Sequence, residues 1–193
     1  MNKKVSFYPK VFFLRVALVS LTILIFVFND TYSQKIFTTK KGEVIAQSKY
    51  YDTVIAVKSN DLFMQMDYEK AKLKMFVNLN SFNSNFDSID VRLKAISSNQ
   101  ISFDGKLGID LINTQQHSPQ NFNITGYVKY GTAKVMINGK GTLTHIVSNG
   151  EIASCILWLE FTFNTKRFLW NLPSYGISET ITVQIIQAVL NKS

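Results

Sequence analysis

The chain has 193 residues, 46% of them hydrophobic and 13% aromatic, and a net charge of +8 from 21 basic and 13 acidic side chains. Its single cysteine, Cys155, excludes an internal disulfide. Lys70, Lys72, Lys74, Lys129, Lys134 and Lys140 are spread through alternating segments rather than clustered with stacking aromatics. This argues against a nucleic-acid partner and reads as the solvated polar faces of strands, with weak, transient attraction to anionic lipid headgroups as the alternative.

The first 33 residues read as an address. Lys3, Lys4, Lys10 and Arg15 precede the uncharged Val16 to Phe28, and Thr31-Tyr32-Ser33 places small residues at −3 and −1. This is the pattern of a secretory signal peptide cleaved after Ser33, which predicts a periplasmic or secreted protein. The competing reading is a retained anchor; the apolar core falls short of the roughly 20 residues that span a bilayer. Without residues 1–33 the chain has 160 residues, 17 basic and 12 acidic, a net +5. That length suits one domain, residues 34–193, with a sizeable core.

Glu43 to Ser48 and Thr53 to Lys58 read as strands, and Ser59-Asn60-Asp61 as a turn into Leu62, Met64 and Met66, which share one face. After a turn at Tyr68 to Ala71, Leu73, Met75, Val77 and Leu79 recur at period two. Beyond the polar Asn80 to Asn85, Phe86, Ile89, Leu93 and Ile96 change the spacing to three and four, which predicts an amphipathic helix over 86–97. Ile101, Phe103, Leu107, Ile109 and Leu111 restore the alternation, with Gly105 holding the inner phase, and Asn113 to Gln120 is a polar loop. From Phe122 to Phe163 the chain is β-patterned between glycine-containing turns. Cys155, Leu157, Leu159, Phe161 and Phe163 give one strand an apolar face. Asn149-Gly150 is a hairpin signal, since both residues tolerate positive φ. Thr180 to Leu190 closes the chain as a strand. Eight or nine strands and one helix point to an all-β protein, an antiparallel barrel or a tightly curled sandwich. No internal repeat or low-complexity segment interrupts it.

A resemblance follows from the order of these segments. Lys41-Gly42-Glu43-Val44 is similar to the G-x-V strand start of the YceI-like family, bacterial polyisoprenoid-binding proteins with a lipocalin-like barrel. Val77 to Phe82 resembles the family's apolar strand ending in Ser-Phe, Tyr130 to Val135 its Gly-x-Thr-Lys-x-Val turn, and Tyr175-Gly176-Ile177 its motif before an Ile-rich closing strand. The correspondence runs from Phe37 to Leu190. Asn99 to Phe103 lacks the proline of the family's Tyr-Pro-x-x-x-Phe, and Tyr130 stands where a histidine commonly precedes the glycine. The resemblance implies a binder of an isoprenoid or other long-chain lipid, such as the tail of a polyprenyl quinone, with no other cofactor. It also implies a tunnel lined by Leu62, Met64, Met66, Leu73, Met75, Val77, Phe103, Leu107, Ile109, Leu157, Leu159, Phe161 and Phe163. The residues alone suit a filled core as well, which makes a structural or partner-binding barrel the rival reading.

Catalysis lacks a constellation. A three-residue loop over Ser148 to Gly150 would place Leu143 opposite Cys155 and leave His145 diagonal to the thiol, with no orienting acid. A two-residue loop would send His145 to the other face. Either way Cys155 reads as an inert buried thiol. His117 lies in a polar loop, and two histidines with one cysteine at these spacings form no metal site. Asp87, Asp90, Asp104 and Asp110 read as helix-start and outer-face charges, Asn123-Ile124-Thr125 as a sequon inside a strand, and Trp158 and Trp170 as packing or rim residues. A non-enzyme is expected; an isoprenoid-modifying enzyme is the third reading. No oligomeric state follows from the sequence.

Overall fold

The chain divides into two units, Met1–Ser33 and Gln34–Ser193. The computed structural model describes residues 35–84, 86–95, 100–109, 112, 118–170 and 172–193, all within the second unit. The signal segment, Ile96 and Ser97 at the expected helix end, Asn99, Asp110, Leu111 and His117 lie outside the described residues.

Eight antiparallel strands form one closed barrel. In order they are β1 (Ile36–Tyr50), β2 (Thr53–Asp67), β3 (Lys72–Asn78), β4 (Gln100–Leu107), β5 (Gln120–Tyr130), β6 (Ala133–Ser148), β7 (Glu151–Asn164) and β8 (Thr180–Lys192). The helix α1 (Asp87–Ala95) lies between β3 and β4. Each strand pairs with its neighbours in sequence. β8 returns to β1 through pairs such as Phe37↔Lys192 and Ala46↔Val183. Closure gives every strand a partner on both sides, although β2 pairs with β3 only from Phe63 to Asp67, with the single Lys58↔Asn83 bridge beyond. Alternation then decides the inside: Phe122, Ile124 and Val128 of β5 are buried between exposed Asn121, Asn123, Thr125 and Tyr127.

Two local readings are corrected. Ser59-Asn60-Asp61 is no turn, because β2 runs unbroken through it. Gly42 pairs with Leu62 and Val44 with Ser59, so β2 carries one extra residue here. The polar triplet is a β-bulge, and it moves the inner phase from Ile55 and Ser59 to Leu62, Met64 and Met66. Buried Ser59 is held by its hydroxyl, 2.6 Å from Ser81 Oγ and accepting from the Asp61 N–H at 3.1 Å.

The β6–β7 hairpin likewise turns on two residues. Ser148 pairs with Glu151 around Asn149 (φ 53°) and Gly150 (φ 79°). A bulge at exposed Ala153 restores the phase, so Leu143 faces Leu157 and His145 faces Cys155 directly. The expected three-residue loop omitted this bulge, and with it the His145–Cys155 pairing. A further bulge in β8 between Ile185 and Ala188 includes Gln187 at φ 48° and shifts that strand's phase in the same way.

Paired glycines let aromatic rings lie against the wall from inside. Gly105 faces Gly126 across β4 and β5, and a Cβ on Gly126 would stand 2.5 Å from Asp104 O and 2.7 Å from Phe103 Cζ. Gly126→Ala should therefore lower stability by roughly 1–3 kcal/mol through overpacking. Met136→Ala, at a largely exposed neighbour on β6, should change it by less than about 0.5 kcal/mol. Urea denaturation followed by circular dichroism measures both.

Candidate ligand-binding site

The barrel interior has two parts. At the end holding the β2–β3 and β6–β7 turns, side chains fill it. Phe37, Met64, Met66, Leu73, Leu107, Ile124, Leu143, Leu157, Leu159 and Leu190 are all buried to 2% exposure or less. Tyr68, whose position suggests a solvent-facing turn residue, folds inward and is 1% exposed. It stacks on Phe37 at 4.3 Å. Its hydroxyl lies 3.0 Å from His145 Nε2 and hydrogen-bonds with Cys155. A buried hydroxyl needs such partners, since leaving it unbonded in apolar surroundings is costly.

At the other end the barrel opens into a cavity of about 800 Å³. Its floor includes Leu62, Met75, Phe103, Phe161 and Ile185, with Phe103 and Phe161 stacked at 5.7 Å. Val44, Ile55 and Val57 line it from β1 and β2, Val77 and Ile101 from β3 and β4, Val128 and Tyr130 from β5, and Phe163, Ile181 and Val183 from β7 and β8. Its polar side chains come from serines, tyrosines, Gln47 and Trp170; among the described residues no acid, lysine, arginine or histidine lines it.

Two irregular segments cover the mouth. In the first, Phe86, Ile89 and Leu93 of the α1 region line the cavity, which is what the three- and four-residue spacing of an amphipathic helix provides. Lys58 and Asn83 exchange backbone hydrogen bonds of 2.8 and 2.9 Å, fastening this segment to β2. The second joins β7 to β8 through 3-10 turns at Thr165–Phe168 and Leu172–Tyr175. Trp170, Leu172, Tyr175 and Ile177 of this segment line the cavity, and Trp170 meets Tyr130 edge-on at 5.1 Å. Tyr51 N–H donates to Gly176 O and Ser178 N–H to Lys49 O, each at 2.8 Å, fastening it to the β1–β2 turn.

Of the tunnel residues expected from sequence, Leu62, Met75, Val77, Phe103, Phe161 and Phe163 line this cavity. Met64, Met66, Leu73, Leu107, Leu157 and Leu159 lie in the filled end. Ile109 follows β4, partly buried against the core. Sequence reasoning missed the contributions of β1, β5 and β8 and of the β7–β8 segment. The signal was present in the alternation of Val44 with Ala46 and of Ile181 with Val183. Trp170 sits at the rim, as one of its two expected roles has it, and Trp158 is partly exposed.

Solved structures share this fold, two of them as follows. A polyisoprenoid-binding domain from Saccharophagus degradans, implicated in plant cell wall breakdown, superposes with a TM-score of 0.63 at 10% identity over 83% of this chain and 99% of that one. BcnA from Burkholderia cenocepacia gives 0.53 at 12% identity over 79% and 96%. Both likenesses support the resemblance to YceI-like barrels at the level of the fold. No protein-family profile and no curated protein matches the sequence.

The filled end makes its own prediction. Burial pushes the Cys155 thiol from 9.0 to about 11, and burial, then Cys155, pushes the Tyr68 phenol upward. Both are acids whose neutral form the fold favours, so the unfolded chain releases its protons first. Stability fully present below pH 9 is therefore lost as pH rises through the folded values. The thiol's part, across about two pH units, is roughly 2–3 kcal/mol. Denaturant midpoints from pH 8 to 11 should fall, and Cys155→Ala should flatten the decline between pH 9 and 11.

Proposed function

We propose that this protein is a YceI-like carrier that holds one long-chain lipid, an isoprenoid with a tail like that of a polyprenyl quinone, in the mouth half of its barrel. The observation that carries this reading is the cavity: about 800 Å³ with apolar walls and no charged side chain among the described residues that line it. Pockets for small molecules fall in the range of ~300–1,000 Å³ and are mostly apolar with a few polar groups. A fatty or prenyl chain fits that wall chemistry; a charged metabolite would lose its hydration there without a partner. The neighbour named for polyisoprenoid binding supports the same ligand class.

In this reading the protein binds and releases without chemistry. Among the described residues the cluster of potentially reactive groups, Tyr68, His145 and Cys155, lies in the filled end, and a thiol raised to about 11 is a poor nucleophile near neutral pH. The N-terminal segment would serve as a cleaved export signal, so the carrier would work in the periplasm or outside the cell.

Three lysine substitutions test the division of the barrel. Val77→Lys, on the cavity wall near the mouth, should fold, since its ammonium can reach water through the opening, and should lose lipid. Leu157→Lys, in the filled end, buries a charge without water and should fail to fold. Trp158→Lys should leave folding and lipid retention nearly unchanged. Circular dichroism with mass spectrometry of organic extracts reads all three. A wild-type extract empty of lipid, together with failure of added prenyl lipid to bind, would overturn the carrier.

A further inference from the structure

The segment from Thr165 to Glu179 closes at its base, where Thr165 N–H donates to Glu179 O at 2.9 Å. From that base it presents Leu169, which is 87% exposed. Leu169 has φ 57° and ψ 32°, the left-handed state that side chains with a Cβ disfavour. A leucine so placed gains nothing from the barrel's own core. Lys166 and Arg167, just before it, are exposed and make no ion pair among the described residues. Phe168 and Trp170 on either side of Leu169 pack on Tyr130 of β5. Farther along the same segment, where it meets the β1–β2 turn, Tyr51 is 72% exposed and Tyr175 48% exposed, and exposed Lys49 joins the segment through Ser178.

Exposed apolar groups gathered at a cavity mouth mark a contact surface, and the charges indicate with what. The β7–β8 connection lies four strands round the barrel from the β3–β4 connection that carries α1. On the α1 side Asp87 and Asp90 stand in the first helical turn, followed by Arg92 and Lys94 in the same helix, so that side has acids and cations in equal number. On the β7–β8 side the acids are Asp52 in the β1–β2 turn and Glu179 at the base of the segment, while both charges next to Leu169 are cationic. An exposed leucine beside lysine and arginine, with exposed tyrosines farther along the same segment, is the chemistry of the bilayer interface, where apolar side chains enter the boundary and cations meet lipid phosphates.

We propose that the β7–β8 corner of the mouth docks on a bilayer bearing anionic phospholipid, with Leu169 entering the interface and Lys166 and Arg167 on the headgroups. The proposal rests on the carrier reading and adds the route: docking would set the mouth against the membrane, so a prenyl chain could pass without crossing water.

The test uses the full chain with an environment-sensitive dye on Leu169→Cys, and in a second protein on Met136→Cys, which lies on the outer wall of β6 at 58% exposure. Cys155, fully buried, should stay unlabelled. Vesicles of phosphatidylcholine with phosphatidylglycerol should move the emission of the 169 dye to the blue and leave the 136 dye unchanged, even where residues 1–33 tether the chain. Lys166→Gln with Arg167→Gln should lower the ratio of docked to undocked protein roughly thirtyfold, at two headgroup contacts removed. An unmoved 169 dye, equal shifts at both positions, or a shift indifferent to anionic lipid would overturn the docking. So would a shift that grows with protein concentration without vesicles, which would place a second copy on the patch. If the protein carries lipid yet the 169 dye is unmoved, docking alone fails; if it neither carries nor takes up lipid, the carrier reading fails beneath it.

Discussion

Everything in this structure depends on the pairing of β8 with β1, which turns a sheet of antiparallel neighbours into a closed barrel. Closure removes both free edges and fixes an interior whose width an eight-stranded barrel sets. That interior can be filled by side chains or left open, and here one end is filled and the other is a cavity. The six pairs between Phe37↔Lys192 and Gln47↔Thr182 form two groups. One lies beside the filled end and the other beside the cavity, so the same closure supports both.

The boundary between the halves is made by phenylalanine and glycine together. Phe103 lies against Gly105 and Gly126, where a Cβ would collide with its ring, and stacks with Phe161. The missing side chains let these rings lie across the interior without pushing the strands apart, consistent with the packing of aromatic rings over sheet glycines. Below this floor the interior is dense enough for Tyr68, His145 and Cys155 to partner one another away from water. Above it, side chains of β1, β3, β5 and β8 line a cavity rather than fill the interior.

Much of the barrel was legible because alternation reports directly which way a strand residue faces. β3, β4 and β7 read this way, as does the change of period at α1. Four bulges, between Thr39 and Gly42 and at Ser59–Asp61, Ala153 and Ile186–Gln187, were not legible. Each moves the inner phase by one residue, and its sequence trace is a polar or small residue of the kind that also marks a turn. Tyr68 was obscured for the same reason, being inward-facing within a segment of turn composition. Periodicity also says nothing about height along the barrel axis. Leu157 and Phe161 share a face of β7, yet Leu157 lies in the filled end and Phe161 in the cavity floor. Height follows from register around the closed sheet, which depends on those bulges.

The two ends therefore differ in how they are held. The filled end is fixed by side-chain packing with nearly every large residue fully buried, so opening it would expose much of the core at once. The mouth is covered by a helix and by 3-10 turns, fastened to β1 and β2 through two pairs of backbone hydrogen bonds. Such bonds exchange readily for water where solvent can reach them, and each contributes only about 1 kcal/mol net. Releasing the Tyr51–Gly176 and Lys49–Ser178 pair, together with the bond that the Ser48 hydroxyl donates to Ser178 O, would loosen the β7–β8 segment from β1 and the β1–β2 turn while leaving every strand pair intact. Entry to the cavity and the integrity of the barrel are thus separate properties of this fold, which a carrier requires if it is to exchange its cargo without unfolding.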